Sequence, residues 1–216
     1  MARLILDISM SLDGYVAGPN QTLDDPLGEG GDQLHEWAFA TKGFLEMHGM
    51  AGGEENRDSE IARETIARSG ATVMGRHMYS GGSGPWEDDP KADGWWGDDP
   101  PFHHPVFVLT HHAREPLAMQ GGTTFTFVAD GIESALEQAR EAAGGRDVSI
   151  GGGADVAQQY LAAGLVDDLR LHLAPVFLGP GGVRLFDNLS PGRPQLELTG
   201  AVESPAVTHL TYRVVK

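Results

Sequence analysis

The 216-residue sequence contains no cysteine. Disulfides, thiol nucleophiles and thiolate metal sites are therefore excluded, and a reducing cytoplasm is the expected location. Cations are scarce as well: 15 Lys and Arg stand against 31 Asp and Glu, for a net charge of -16. Without a basic cluster to neutralise phosphates, nucleic acid and anionic membranes are not expected partners. No apolar run reaches the length of a membrane span, and the first residues lack the pattern of a secretory signal. Aromatic residues make up only 7%, yet Trp86, Trp95 and Trp96 all fall in an acidic, glycine- and proline-bearing stretch at 80–102. Such a loop folds over a planar ligand, packs on a second subunit, or packs on itself; the sequence does not choose among these.

What is present suits one globular domain spanning 1–216, with 40% hydrophobic residues and no internal repeat or linker. Alternation and apolar runs predict strands at 3–9, 71–74, 106–110, 123–128, 168–174, 195–202 and 206–215, with a further strand leading into Gly151. Helical spacing of Leu34, Trp37, Ala38, Thr41 and Leu45 predicts an amphipathic helix over 31–47. A second helix is expected from an N-cap at Asp58 to Gly70, a third behind an Asp130–Glu133 capping box, and a fourth over 155–163. Strands separated by helices imply a mainly parallel sheet covered on both faces, and the last two strands imply an antiparallel hairpin at its edge.

Two strand-to-helix junctions carry the chemistry. They are Val73-Met74-Gly75-Arg76-His77-Met78 and Ile150-Gly151-Gly152-Gly153-Ala154-Asp155-Val156. The first N–H groups of a helix have no intrahelical partner and point out of its end, where the helix dipole adds partial positive charge. Anions are stabilised there, and two such ends could grip the two halves of a pyrophosphate. The plain alternative for each is an ordinary turn. The histidines at 103–104 and 111–112 lack any metal-ligand spacing, so no metal is expected and a solvated loop suits His103 and His104.

The first junction resembles the cofactor segment of dihydrofolate reductases, and the glycine triplet resembles that family's glycine-rich junction. Ser11-Leu12-Asp13-Gly14-Tyr15-Val16-Ala17 and Leu173-Ala174-Pro175-Val176-Phe177-Leu178-Gly179-Pro180-Gly181 are closer to the diaminouracil reductase domain of riboflavin biosynthesis. The resemblance covers nearly the whole chain. It implies a dihydrofolate-reductase-like α/β/α sandwich with about eight strands, an NADPH cofactor, a small planar heterocycle as substrate, and a homodimer. It also implies a cis bond between two of the glycines, placed at Gly152–Gly153.

By the same resemblance, Val16, Ala17, Gly75, Arg76, His77, Met78, Thr110, His111, His112, Gly151, Gly152, Gly153, Ala154, Asp155 and Val156 are the cofactor candidates. Arg76 is expected as a cationic arm for a cofactor phosphate, and His111, His112 or Arg114 as charge near a 2′-phosphate. Ser11, Trp37 and Trp86 are substrate candidates, and Asp13 and Asp32 catalytic ones. The carboxylate that folate reduction needs should precede a tryptophan by three residues. Counting back from Trp37 reaches Leu34, which argues against dihydrofolate as substrate. The readings carried forward are an NADPH-dependent reductase, a dihydrofolate reductase, and a nucleotide-binding protein without turnover.

Overall fold

The computed structural model describes residues 2–189 and 194–216. Its centre is a nine-stranded sheet rather than one of eight. Six contiguous strands run parallel: β8 (Asp168–Ala174), β1 (Leu4–Ser11), β7 (Asp147–Gly152), β3 (Ser69–Gly75), β4 (Pro105–Leu109) and β6 (Thr124–Val128). Antiparallel strands finish both edges. The β11 (Thr208–Val215) and β10 (Gln195–Glu203) hairpin lies beyond β8, and β5 (Leu117–Ala118) lies beyond β6. A separate two-stranded ribbon joins β2 (Tyr15–Ala17) to β9 (Val183–Arg184).

Side chains alternate between the faces of a strand, and β1 shows what each face is for. Leu4 and Leu6 are buried in the main hydrophobic core with α5 (Ile132–Ala142) and α6 (Ala154–Ala162). Asp7, the residue after Leu6, points the other way, to Thr65 of α3 (Arg57–Arg68). A second apolar cluster of Met74, Tyr79, Val106, Val108, Phe125 and Phe127 underlies α4 (Arg76–Ser80) and the tryptophan loop. Helices therefore cover both faces, as the resemblance implies. No helix is long and apolar enough to cross a membrane among the described residues.

Three expected helices differ. The stretch at 31–47 breaks into a 3-10 turn at Gly31–Leu34, α1 (Glu36–Phe39) and α2 (Lys42–Met47). Thr41 breaks it: its backbone is extended, and its hydroxyl caps α2 by accepting from Phe44 N–H. α3 is capped by Asn56, whose Oδ1 accepts from Ser59 N–H at 2.9 Å, and not by Asp58. It ends at Arg68, and Gly70 belongs to β3, where an added Cβ would lie 2.5 Å from the Ala143 carbonyl. The Asp130–Glu133 box does not form, because the cap falls one residue later on Gly131, which has no side chain to accept.

His104 is not solvated. Its ring is 9% exposed, and Nε2 lies 2.8 Å from Thr72 Oγ1. Burial pushes its pKa down from 6.5 to about 4, so the folded state favours the neutral ring. That contribution is complete above pH 6.5 and is lost as pH falls through about 4. Urea unfolding should show His104→Asn losing about 3 kcal/mol less stability than the parent between neutral pH and pH 4.

Candidate functional site

The two glycine junctions converge. β3 and β7 are neighbours in the sheet, and Met74 pairs with Gly152 at their C-terminal ends. A Cβ added to Gly75 would lie 2.9 Å from Val156 Cγ2, 3.7 Å from the Gly153 nitrogen and 3.8 Å from the Gly152 oxygen. The two turns thus touch, with only glycine able to stand at the contact. The Gly152–Gly153 peptide is cis, at the expected position. Gly152 has φ +121, a conformation that side-chain-bearing residues rarely adopt. A Cβ on Gly153, by contrast, would meet nothing within 4 Å. The surface above that residue is open.

α6 supplies the donors. Its first internal bond runs from Ala157 N–H to Gly153 O at 3.2 Å, so the N–H groups of Ala154, Asp155 and Val156 precede the ladder. α4 spans only five residues, which leaves it a minor dipole, though its first amides at Arg76, His77 and Met78 occupy the same part of the turn. Met78 Sδ lies 3.2 Å from where a Gly152 Cβ would be, so its thioether floors the space between the turns. Asp155 is exposed in the first turn of α6 and adds negative charge there.

Arg76 does not extend towards this opening. It is 6% exposed, with Nε donating to Ser80 Oγ at 2.9 Å and Nη2 closely paired to the Asp89 carboxylate. The Trp86 ring lies over it, with Cζ 3.2 Å from the ring centroid. The expected cationic arm is therefore a buried ion pair. The cause is the acidic loop, whose Asp89 reaches the arginine before any outside anion can. Arg114 is similarly committed, to the Ala92 carbonyl and Asp93.

Trp86 is consequently a wall and not a ligand platform. Its Nε1–H donates to the His112 carbonyl at 2.9 Å, and its ring packs edge-on to Tyr79 and Phe127. Trp96 packs on Phe102, and Trp95 lies against Gly81. The tryptophan loop packs on its own protein. Beyond it, Thr110 is buried just after β4, its hydroxyl accepting from His112 N–H at 3.1 Å, while His111 and His77 are exposed.

The sequence profile of the RibD C-terminal domain matches residues 2–210. The chain belongs to the RibD C-terminal domain family. No curated protein sequence is a significant match. Among solved structures, a protein from Shewanella sp. PV-4 assigned to riboflavin biosynthesis is similar over the whole of both chains, at 22% identity and a TM-score of 0.62. The Saccharomyces cerevisiae riboflavin biosynthesis reductase Rib7 is 15% identical, with a TM-score of 0.53 over 89% of its chain. Acinetobacter baumannii RibD is 16% identical, with a TM-score of 0.55, and the present chain spans 58% of that longer protein. At these identities the likeness to each is one of fold.

The remaining candidates lie at the C-terminal end of β1. Ser11 Oγ donates to Asp13 Oδ1 at 2.6 Å and accepts from Tyr15 N–H. Asp13 also accepts from the backbone N–H of Leu178 and Gly179, tying the turn after β1 to the loop after β8. The Ser11 hydrogen bond, with those from Gly179 and Leu178, holds its carboxyl below the usual range. An acid kept ionised in this way is a poor proton donor, so Asp13 serves as a clamp. Val16 and Ala17 are buried in β2 beside it. Asp32 and Glu36 are exposed, and Leu34 is fully buried where a folate-protonating carboxyl would stand. Trp37 is half-buried, its Nε1–H donating to Ser9 Oγ at 3.0 Å.

Sequence reasoning missed the buried polar groups beneath Trp37: Asp7, Asp58, His172 and His209. Asp7 breaks the apolar run of its strand, which was the available signal, while His172 sits at an ordinary polar position of an alternating one. Only the fold reveals that they meet. Removing one member of the Arg76–Asp89 pair leaves a buried unpaired charge. Arg76→Ala should therefore lose about 3–5 kcal/mol in urea unfolding, whereas a free cationic arm would cost almost nothing.

Proposed function

We propose that this protein is an NADPH-dependent reductase that transfers hydride to a small planar heterocycle of the diaminopyrimidine or uracil class. The observation that carries the reading is the contact between the two glycine turns, with unpaired amides on α6 and open space over Gly153. Family membership and the fold shared with Rib7 support it. A pyrophosphate fits such a cradle because backbone N–H groups can approach it with no Cβ in the way. Reduced nicotinamide supplies the hydride when bound. The chain's own part is to hold and orient: Ala154 to Val156 and the first amides of α4 at the pyrophosphate, with Ser11, Val16, Ala17 and Trp37 around the reacting rings. Positioning donor and acceptor carbons about 3–3.5 Å apart is the main catalytic contribution such a site makes.

With Arg76 and Arg114 neutralised internally, the imidazoles of His77, His111 and His112 remain as candidate hydrogen-bond donors at the cofactor end, and preference for NADPH over NADH rests on them. Dihydrofolate is a poor fit, since Leu34 replaces the acid its protonation requires. The decisive experiment titrates the protein with NADPH and NADH, then follows nicotinamide absorbance on adding a diaminopyrimidine or dihydrofolate. Oxidation with the former alone is expected. Tight binding without turnover across such a panel would favour a non-catalytic nucleotide binder, and no binding of either nucleotide overturns the proposal.

Two glycine substitutions separate cradle from fold. Gly153→Ala places a methyl in open space, so it should weaken coenzyme binding at least about tenfold while leaving the unfolding midpoint nearly unchanged. Gly152→Val should lose both binding and roughly 1–3 kcal/mol of stability, because valine is strained at that φ. Isothermal titration and urea unfolding read the two effects independently.

A further inference from the structure

We infer that Asp58, His209, His172 and Asp7 form one hydrogen-bonded chain in which the two imidazoles share a single extra proton, and that this pair positions Trp37. Three links make the chain. Asp58 Oδ1 lies 2.9 Å from His209 Nε2, His209 Nδ1 lies 2.6 Å from His172 Nδ1, and His172 Nε2 lies 2.7 Å from Asp7 Oδ1. Each link needs one proton. Ionised carboxylates only accept, and a neutral imidazole carries one N–H, so two neutral rings supply two protons for three links. The third proton makes the pair an imidazole and an imidazolium.

Charge balance supports that count. The surrounding groups are Asp7 on β1, Arg170 on β8 with Nη1 3.7 Å from Asp7 Oδ2, Asp58 on α3, and His35 between the 3-10 turn and α1. Burial holds His35 below its usual range, hence neutral. Two carboxylates then face Arg170 and one shared imidazolium, which leaves the buried cluster without net charge, the arrangement that burial favours. The outer lone pairs are also used: Thr65 Oγ1 donates to Asp7 Oδ2 at 2.9 Å, and Ser204 Oγ lies 3.0 Å from Asp58 Oδ2. Burial, against the pull of Asp58, keeps His209 below its ordinary range. Burial would raise Asp7, but the charge and hydrogen bond of His172 outweigh it and hold that carboxyl low. A shared metal does not fit, since tetrahedral nitrogens about 2.1 Å from zinc stand about 3.4 Å apart, farther than these two.

Trp37 rests on the pair. Its ring centroid is 4.7 Å from that of His172 and 5.0 Å from that of His209, and its Nε1 is held by Ser9. Losing the shared proton would leave two lone pairs facing at hydrogen-bond distance, and gaining another would oppose two N–H groups. Either change separates the rings and shifts the indole. His172 and His209 are thus positioning residues. Their effect on turnover rests on the reductase reading above, while the proton count does not.

The test is NMR of 15N-labelled full-length protein. At neutral pH both Nε2 atoms should be protonated while the Nδ1 atoms share one proton. The Trp37 indole N–H resonance, identified by its loss in Trp37→Phe, should move at the same midpoints as the pair when pH is varied. In His209→Gln, which keeps an acceptor for His172, that pH-dependent shift should vanish while circular dichroism stays unchanged. Two rings that each carry one proton at neutral pH overturn the proposal. So does an indole resonance that follows neither titration, or one that still moves in His209→Gln. If the enzyme turns over, KM for the heterocycle should follow the pair's midpoint while coenzyme affinity does not, and a flat KM removes the role in positioning substrate. Failure to oxidise NADPH at all strikes the reductase reading and leaves the NMR result to decide the proton chain.

Discussion

The pairing of β3 with β7 is the constraint on which the candidate site depends. These strands are far apart in sequence but lie side by side, and each ends in glycine before a helix. Parallel pairing sends both helix starts to the same edge of the sheet, where open α/β sheets bind ligands. The close approach of Gly75 to the Gly152–Gly153 turn leaves a backbone-lined cradle, with no room for a Cβ at Gly75 and open space over Gly153. Strand order, more than any single side chain, creates the site.

Charge is distributed to suit that arrangement. A chain of net charge -16 has few cations to spend on a phosphate. Two of those nearest the cradle, Arg76 and Arg114, are held by Asp89 and Asp93 under a tryptophan ring. In the proposed cradle backbone amides are left as the principal anion donors, and an acidic protein can use them because a local donor at contact distance outweighs screened distant charges. The Asp89 pairing also explains the acidic tryptophan loop, which braces α4 from outside the sheet.

On the other flank, α3 and the segment carrying Trp37 lie over β1, β8 and β11 through polar rather than apolar contacts. A carboxylate–imidazole–imidazole–carboxylate row replaces the leucine packing that fills the opposite face. Such a row is geometrically demanding, because every donor must face an acceptor. It fixes α3 and Trp37 more sharply than an oily interface would.

The sequence by itself determined the positions of most strands along the chain and the two glycine junctions, because periodicity, glycine and helix starts are local signals, and its motifs carried the resemblance that implied the fold family. It also marked Leu34 as the residue that argues against folate. Tertiary structure decided what local signals cannot carry: that Arg76 turns inward to Asp89, that Asp58 serves His209 and leaves capping to Asn56, and that Thr41 breaks a helix its neighbours would continue. It also brought Asp7, His172 and His209 together from three strands. Each of these depends on a partner distant in the chain, and a pairwise electrostatic preference has no expression in sequence until the sheet brings its two halves within reach.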